Sequence, residues 1–358
     1  MFNVESHKGT YCVLFDTSLQ KVVKKHIHNK DFLVIDANIY NKYPIIHQNI
    51  DKDRIYIIEA SEGAKTLRTC QELIGVLISY GFKRNHKLVA VGGGVVQDIT
   101  AFVASVLFRG VGWKFLPTTL LAQADSCIGS KTSINFSHTK NLLGSFHPPE
   151  QIICCTEFLK TLSSNDIKSG IGEMLHYFIY ADSSLLEDIT TEYEQLVENP
   201  HELMERYIKE SLSIKREMVQ RDEFDRGPRR VFNYGHTFGH AIEALSNYEI
   251  NHGIAVTIGM DIANYIALKN DIIDKKTYFY FYKYLKKNLI PYYINNDRME
   301  EYYQLLLKDK KSIDNNIICI LPYGIKNLKV VKISDSHTDI SIDKLKSDLV
   351  DYMEKRCL

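Results

Sequence analysis

Short apolar runs alternate with helical periodicity along the first part of the chain. Phe32-Leu33-Val34-Ile35, Tyr56-Ile57-Ile58 and Leu88-Val89-Ala90-Val91 read as strands of a parallel sheet buried on both faces. Between the second and third, Leu67, Leu73, Ile74 and Leu77 recur at helical spacing within 64–80. That alternation predicts an α/β domain with an open, Rossmann-like parallel sheet, a form that takes ligands at the carboxyl ends of its strands. From about Leu162 onward the pattern changes to long amphipathic helices at 167–179, 184–197, 201–220, 235–245 and 252–269. A strand pair follows at 317–321 and 328–333, then a last helix at 343–355. The predicted organisation is a domain over 1–160 and a mainly α-helical domain over 161–358.

Composition narrows the function classes. The 358 residues carry 44 Lys plus Arg against 44 Asp plus Glu, a balance that argues against a protein coating nucleic acid. The aromatic and lysine mixture at 275–287 therefore reads as an amphipathic helix, not a base-stacking surface. Met1-Phe2-Asn3-Val4-Glu5 lacks a basic stretch followed by an apolar core, and no apolar run approaches a membrane span. The seven cysteines are scattered, with Cys154-Cys155 adjacent in an apolar run and no zinc-type spacing, so reduced thiols and a cytoplasmic location are expected.

Three groups of residues carry candidate chemistry. Gly92-Gly93-Gly94-Val95-Val96-Gln97-Asp98 lies between a predicted strand and a helix, where glycines admit a diphosphate to helix N-terminal N–H groups. It is neither a Gly-x-Gly-x-x-Gly turn nor a P-loop. His236 and His240 share one helix face at i, i+4, and His252 follows in Asn251-His252-Gly253, which together point to a divalent metal. The best carboxylate to complete that set is Glu173, set in an otherwise apolar helix where an unpaired charge is costly. The third group is cationic: Lys131, Lys140 beside Asn141, Lys215, Arg229 and Lys310-Lys311 would suit a phosphorylated substrate.

Taken in order, Gly92-Gly93-Gly94-Val95, Arg109-Gly110, 117–123 (Pro-Thr-Thr-Leu-Leu-Ala-Gln), Asp125-Ser126, Lys131-Thr132, Lys140-Asn141, Gly144-Ser145-Phe146, Glu173 and 233–240 (Asn-Tyr-Gly-His-Thr-Phe-Gly-His) resemble the sugar phosphate cyclases. Within them the pattern is most similar to the 3-dehydroquinate synthases, over about Asp36 to Gly324. The resemblance implies tightly bound NAD and one Zn2+ or Co2+ ion in a cleft between an α/β domain and a helical domain. The metal ligands it implies are Glu173, His236 and His252, which makes His240 a phosphate partner and not a ligand. The cofactor would meet Asp36, Asn38, Glu62, Lys65, Gly92, Gly93, Gly94, Val95, Asp98, Thr118, Thr119, Lys140, Phe158, Thr161 and Leu162. Substrate groups would meet Asp125, Lys131, Asn141, Lys215, Arg229, Asn233, His240 and Lys310, with Arg109 reaching across a homodimer interface.

The activity so implied converts 3-deoxy-arabino-heptulosonate 7-phosphate to 3-dehydroquinate and phosphate. It proceeds by transient NAD oxidation, phosphate elimination, reduction and aldol closure. Lys215 and Arg229 match the pair that holds the substrate carboxylate in these enzymes. The chain also departs from the pattern. His176 stands where a lysine is usual, three residues after Glu173, and Gln97, Ala101 and Ser130 replace usual glycines. His176 is expected to act in the site, and the departures motivate a second reading as a cyclase of another sugar or amino-sugar phosphate. A metal-dependent NAD polyol dehydrogenase is disfavoured by the many anion-binding residues, and a non-catalytic relative by the complete set of site residues.

Overall fold

The structure, a computed structural model, describes residues 1–28, 30–137, 139–308, 316–334 and 340–356. It divides into two compact units, Met1–Leu162 with Asn199–Phe224, and Ser163–Glu198 with Asp225–Leu358.

The first unit is built on a seven-stranded sheet. Its order is Phe2–Val4, Tyr11–Asp16, Gln151–Cys155, Trp113–Pro117, Leu88–Gly92, Phe32–Asp36 and Ile55–Ile58. Only the first pair is antiparallel. Leu33, Ile35, Val89, Val91, Leu116 and Ile153 alternate along these strands into one apolar cluster, which is why short continuous apolar runs mark them. Helices Leu67–Tyr80 and Gly94–Val106 cross between strands, and an antiparallel ladder of Lys131–Phe136 with Thr139–Phe146 packs on the second helix. The flanking strands Tyr11–Asp16, Trp113–Pro117 and Gln151–Cys155, and the ladder, go beyond the sequence expectation.

The helix Pro200–Arg221 also belongs to the first unit, although its periodicity suggested the helical part of the chain. The reason is its buried stripe. Met204, Tyr207, Ile208, Leu212 and Val219 pack on the turn segments Ala122–Ser126 and Thr156–Thr161, and the Ser211 hydroxyl donates to the Ala124 carbonyl at 2.8 Å. Helical period alone cannot tell which core a stripe enters.

The second unit is mainly helical, with an antiparallel strand pair Ile317–Pro322 and Leu328–Ile333. Helix His252–Lys269 is buried along nearly its whole length and packs against Ser164–Ala181 and His236–Leu245. The predicted helix at 184–197 is two, Leu185–Thr191 and Tyr193–Glu198. An additional helix spans Met299–Leu307, and the last helix runs Ile342–Arg356. The aromatic and lysine segment forms the helix Lys275–Leu285, with Phe281, Tyr284 and Leu285 inward. No helix among the described residues is long and apolar enough to cross a membrane. The six described cysteines are unbridged.

Candidate active site

In the first unit, the expected cofactor residues fall at one edge of the sheet. Asp36 and Asn38 end one strand, Glu62 and Lys65 follow the next, and Gly92–Gly94 and Val95 follow the third. Thr118 and Thr119 follow Trp113–Pro117, while Phe158, Thr161 and Leu162 follow Gln151–Cys155. This is the carboxyl edge of the parallel strands, the place where open sheets take ligands. Gly93 caps the helix Gly94–Val106, and a Cβ added there would stand 2.9 Å from Thr119 Cγ2. At Gly94 a Cβ would meet no atom within 4 Å, so a cradle of backbone at a helix N-terminus opens there. Such a cradle fits a dinucleotide diphosphate. Phe158 is fully buried in the apolar cluster with Leu33, Ile35 and Val91, so it supports this edge from behind and presents no surface to a cofactor.

Behind this edge runs a polar network. Lys65 Nζ lies 2.8 Å from Asp98 Oδ2 and donates to Asn141 Oδ1 at 2.6 Å. Ser133 donates to Asp98 through both its N–H and its hydroxyl, each at 3.1 Å. Asn135 binds Glu62 Oε1 at 2.9 Å and accepts from the Asn141 N–H at 2.8 Å. Burial lifts the Asp98 carboxyl above the ordinary aspartate range, against the pull of Lys65 and Ser133. Ser133 and Asn135 were missed in the sequence, because nothing local marks two polar residues of a ladder as anchors of a lysine far away. Lys140 is half-buried and Lys131 exposed on the same ladder.

Asp125 sits on the π-helical turn Ala122–Ser126, and the buried Lys215 donates to both its carboxylate and its carbonyl at 2.7 Å. Two of the three glycine replacements, Gln97 and Ser130, acquire physical roles here. Buried Gln97 donates to the Ser126 carbonyl at 2.7 Å and accepts from the Ser126 hydroxyl at 2.6 Å, fixing the residue after Asp125. Ser130 adopts a left-handed φ of 63° and donates to Glu223. Ala101 is a buried helix residue. Arg109 is exposed in a left-handed turn beside exposed Phe108.

The second unit holds the metal candidates. Glu173 on Ser164–Ala181, His236 on His236–Leu245 and His252 on His252–Lys269 bring one donor atom each within 4.8 Å of one another. Each stands next to a glycine at a close helix contact. A Cβ on Gly172 would lie 2.0 Å from the Gly253 carbonyl, and one on Gly253 would lie 1.8 Å from the Ser169 carbonyl. Gly235, at φ 79°, also packs on the helix His252–Lys269, where an added Cβ would lie 2.5 Å from the Val256 carbonyl. Only glycine allows these backbones to approach so far, and the approach brings the three ligands together.

Hydrogen bonds orient the imidazoles. Glu243 binds His252 Nδ1 at 2.9 Å, so Nε2 faces Glu173 Oε1 at 3.2 Å. The Tyr234 carbonyl lies 3.2 Å from His236 Nδ1, and His236 Nε2 lies 3.8 Å from Glu173 Oε2. An acceptor behind each imidazole is the arrangement that turns the other nitrogen into a metal ligand. The buried Glu173 Oε1 makes no regular hydrogen bond. Two imidazoles and a carboxylate fit Zn2+ or Co2+. Burial by itself lowers the His252 pKa, but Glu243 and Glu173 outweigh it and hold the group well above the ordinary histidine value. Such a cluster attracts positive charge.

A second donor group, His240, Glu243 and His252, shares one imidazole with the first. Because Glu243 already binds His252 Nδ1, it serves the first group as an orienting carboxylate. It lies one turn beyond His240 on the same helix face, a spacing that the sequence reading passed over. His176 is buried, with Nδ1 3.5 Å from Glu173 Oε2 and its ring 3.9 Å from that of Tyr177. Arg229 is buried in the turn Pro228–Asn233, where the Asn233 amide donates to the Arg230 carbonyl at 2.9 Å. Lys310 and Lys311 lie outside the described residues.

Comparisons with known proteins agree along the chain. A family model described as 3-dehydroquinate synthase N-terminal matches residues 55–169, and one described as 3-dehydroquinate synthase C-terminal matches 170–312. The chain is 35% identical over 324 residues to a protein named 3-dehydroquinate synthase from Thermoanaerobacter pseudethanolicus, covering 88% of this chain and 91% of that one. A 2-deoxy-scyllo-inosose synthase complexed with carbaglucose-6-phosphate, NAD+ and Co2+ has the same fold, with TM-score 0.83 and 23% identity over 97% of this chain and 98% of that one. So does a 2-epi-5-epi-valiolone synthase from Streptomyces hygroscopicus subsp. jinggangensis with NAD+ and Zn2+ bound (TM-score 0.80, 24% identity, 96% and 97% covered).

Proposed function

This chain belongs to the 3-dehydroquinate synthase family, and from that premise we propose that it converts 3-deoxy-arabino-heptulosonate 7-phosphate to 3-dehydroquinate and phosphate. The observation that carries the reading is the trio Glu173, His236 and His252, with an acceptor behind each imidazole. When bound, NAD and the divalent ion supply transient hydride acceptance and Lewis-acid polarisation of a ring hydroxyl.

The chain's own residues do the rest by positioning and charge. Glu173, His236 and His252 hold the ion, and Glu243 and the Tyr234 carbonyl keep both imidazoles in the ligating tautomer. The Gly93–Gly94 cradle takes the cofactor diphosphate, while Lys65 and Asp98 hold Asn141 for a substrate oxygen. Lys215 spends two of its three N–H bonds on Asp125, which leaves the third for a substrate anion. We assign Arg229, with Lys215, to the carboxylate. Lys131, Asn233, His240 and Lys310 go to the remaining polar groups, chiefly phosphate. A homodimer completed by Arg109, and a cytoplasmic location, belong to the same reading.

The test is turnover of purified protein with NAD and Zn2+ or Co2+. Phosphate release with 3-dehydroquinate formation and no net NADH is expected; net NADH would indicate a dehydrogenase. One observation favours a second reading, a cyclase of another sugar phosphate. Where a lysine would give a permanent cation, the buried His176 beside Glu173 offers an imidazole. Inertness toward the heptulosonate, with turnover of sedoheptulose 7-phosphate or glucose 6-phosphate, would establish it.

A further inference from the structure

The amino edge of the same sheet carries a basic cavity that the reaction does not use. It measures about 880 Å³, within the size range of small-molecule sites, and is lined where the strands begin. Lys30 precedes Phe32–Asp36, Arg54 precedes Ile55–Ile58, Lys87 precedes Leu88–Gly92, and Lys114 stands second in Trp113–Pro117. Lys25 adds a fifth cation from the end of the helix Leu19–His26. The strand Leu88–Gly92 separates Lys87 from the glycine cradle by its full length, about 16 Å at the usual rise per residue.

Two carboxylates line the cavity and both are committed. Asp31 lies 3.4 Å from Lys114 Nζ, and Glu150 pairs with Lys87. Five cations against two acids leave a surplus of three positive charges in a chain whose total is zero. Asp51 lies 3.9 Å from Arg54, but its side chain is 83% exposed and such surface pairs contribute little. Among the described residues no ion pair holds Lys25 or Lys30.

The floor of the cavity is ordered. Lys114 is buried, and its ammonium donates to the His26 carbonyl at 3.1 Å and to Asp31, so one N–H of three remains. His26 registers the local field. Burial lowers its pKa, and the charges of Lys114 and Lys25 push it the same way. His28 and His86 add N–H groups to the wall.

We propose that this cavity is a second ligand site, specific for a small metabolite carrying two or three phosphate groups and separate from the site of turnover. Several cations spread around a concave, half-open volume match the charge and reach of a di- or triphosphate better than those of a single phosphate.

The test is calorimetric titration of NAD- and zinc-loaded protein with inorganic diphosphate, ATP and adenosine. Diphosphate and ATP should both bind with a dissociation constant of about 0.1 mM or tighter, and adenosine should not. The variant Lys25→Glu/Lys30→Glu should weaken both at least about tenfold, in line with the loss of two charge-assisted contacts. Both lysines are exposed, so its melting temperature and basal turnover should be unchanged; Lys25→Ala/Lys30→Ala, which adds no acid, should weaken binding less. Diphosphate binding that survives both variants and is displaced by substrate would place the ligand in the active site and overturn the proposal. Absence of binding would overturn it too, as would tight binding of adenosine or preferential binding of a DNA duplex.

Discussion

The cofactor edge of the first unit and the metal cluster of the second are both polar and partly buried, yet they are held in opposite ways. At the cofactor edge, Lys65, Asp98, Asn141 and Ser133 close hydrogen bonds and an ion pair on one another. That arrangement satisfies its own charges. In the metal cluster, three donor atoms are pressed together by glycine contacts, and a buried carboxylate oxygen lacks a regular hydrogen bond. A carboxylate and two imidazoles at such range draw in positive charge, as a proton on His252 or as a metal ion between them. The first region should therefore keep its shape without its ligand, and the second should depend on its ion.

The sharpest way to break this contrast is to remove a ligand. His252→Ala should lower turnover about a thousandfold or more, the several kcal/mol that a Lewis acid contributes, and abolish stoichiometric metal by elemental analysis. NAD binding, followed by fluorescence, should stay within a few-fold. Parallel loss of NAD binding would show that the two regions are not independently held.

The second test attacks the other side. Asp98→Asn removes the nearer of the two carboxylates at the buried Lys65 ammonium and leaves only Glu62, 3.7 Å away. The pair is partly solvated, so the loss should fall near the lower end of the about 3–5 kcal/mol typical of a broken buried pair. Chemical denaturation should show that loss, with metal content unchanged.

Orientation should count for less than ligation. Glu243→Gln keeps a side chain of the same size but removes the charge behind His252, and metal affinity should fall about 10–100-fold, read by competition with a chelator. Unaltered affinity would make Glu243 a ligand of an alternative group or a bystander.

Gln97→Ala should have the smallest effect. It deletes two hydrogen bonds to Ser126, worth about 1 kcal/mol each. As a positioning effect it should lower kcat more than it raises KM, and Gln97→Glu, which sets an acceptor against the Ser126 carbonyl where the amide donated, should not recover it. An equal loss of stability with kcat unchanged would reduce Gln97 to a packing residue.

Much of the architecture was legible because periodicity is local. The strands at Phe32–Asp36 and Leu88–Gly92 and the helices at Ser164–Ala181 and His252–Lys269 announce themselves through their apolar spacing, whichever partners they meet. The strand Trp113–Pro117 carries Lys114 at its second position, and the ladder Lys131–Phe136 alternates too weakly to stand out, so both escaped. At the site, spacing alone joined His236 with His240. The ligand set Glu173, His236 and His252 came from family resemblance, and its donor atoms do converge in the fold.

By itself, then, the sequence determined the types of element, the glycine turn, the histidine-rich helix start and membership of the family, all written in contiguous residues. Tertiary structure decided what contiguity does not encode. It placed the helix Pro200–Arg221 in the first unit, put Glu243 behind His252, tied Gln97 to Ser126, and gathered Lys25, Lys30, Lys87 and Lys114 at one sheet edge. The physical reason is that propensity and periodicity act over a few residues, whereas a charge finds its partner through strand order and helix contact across many.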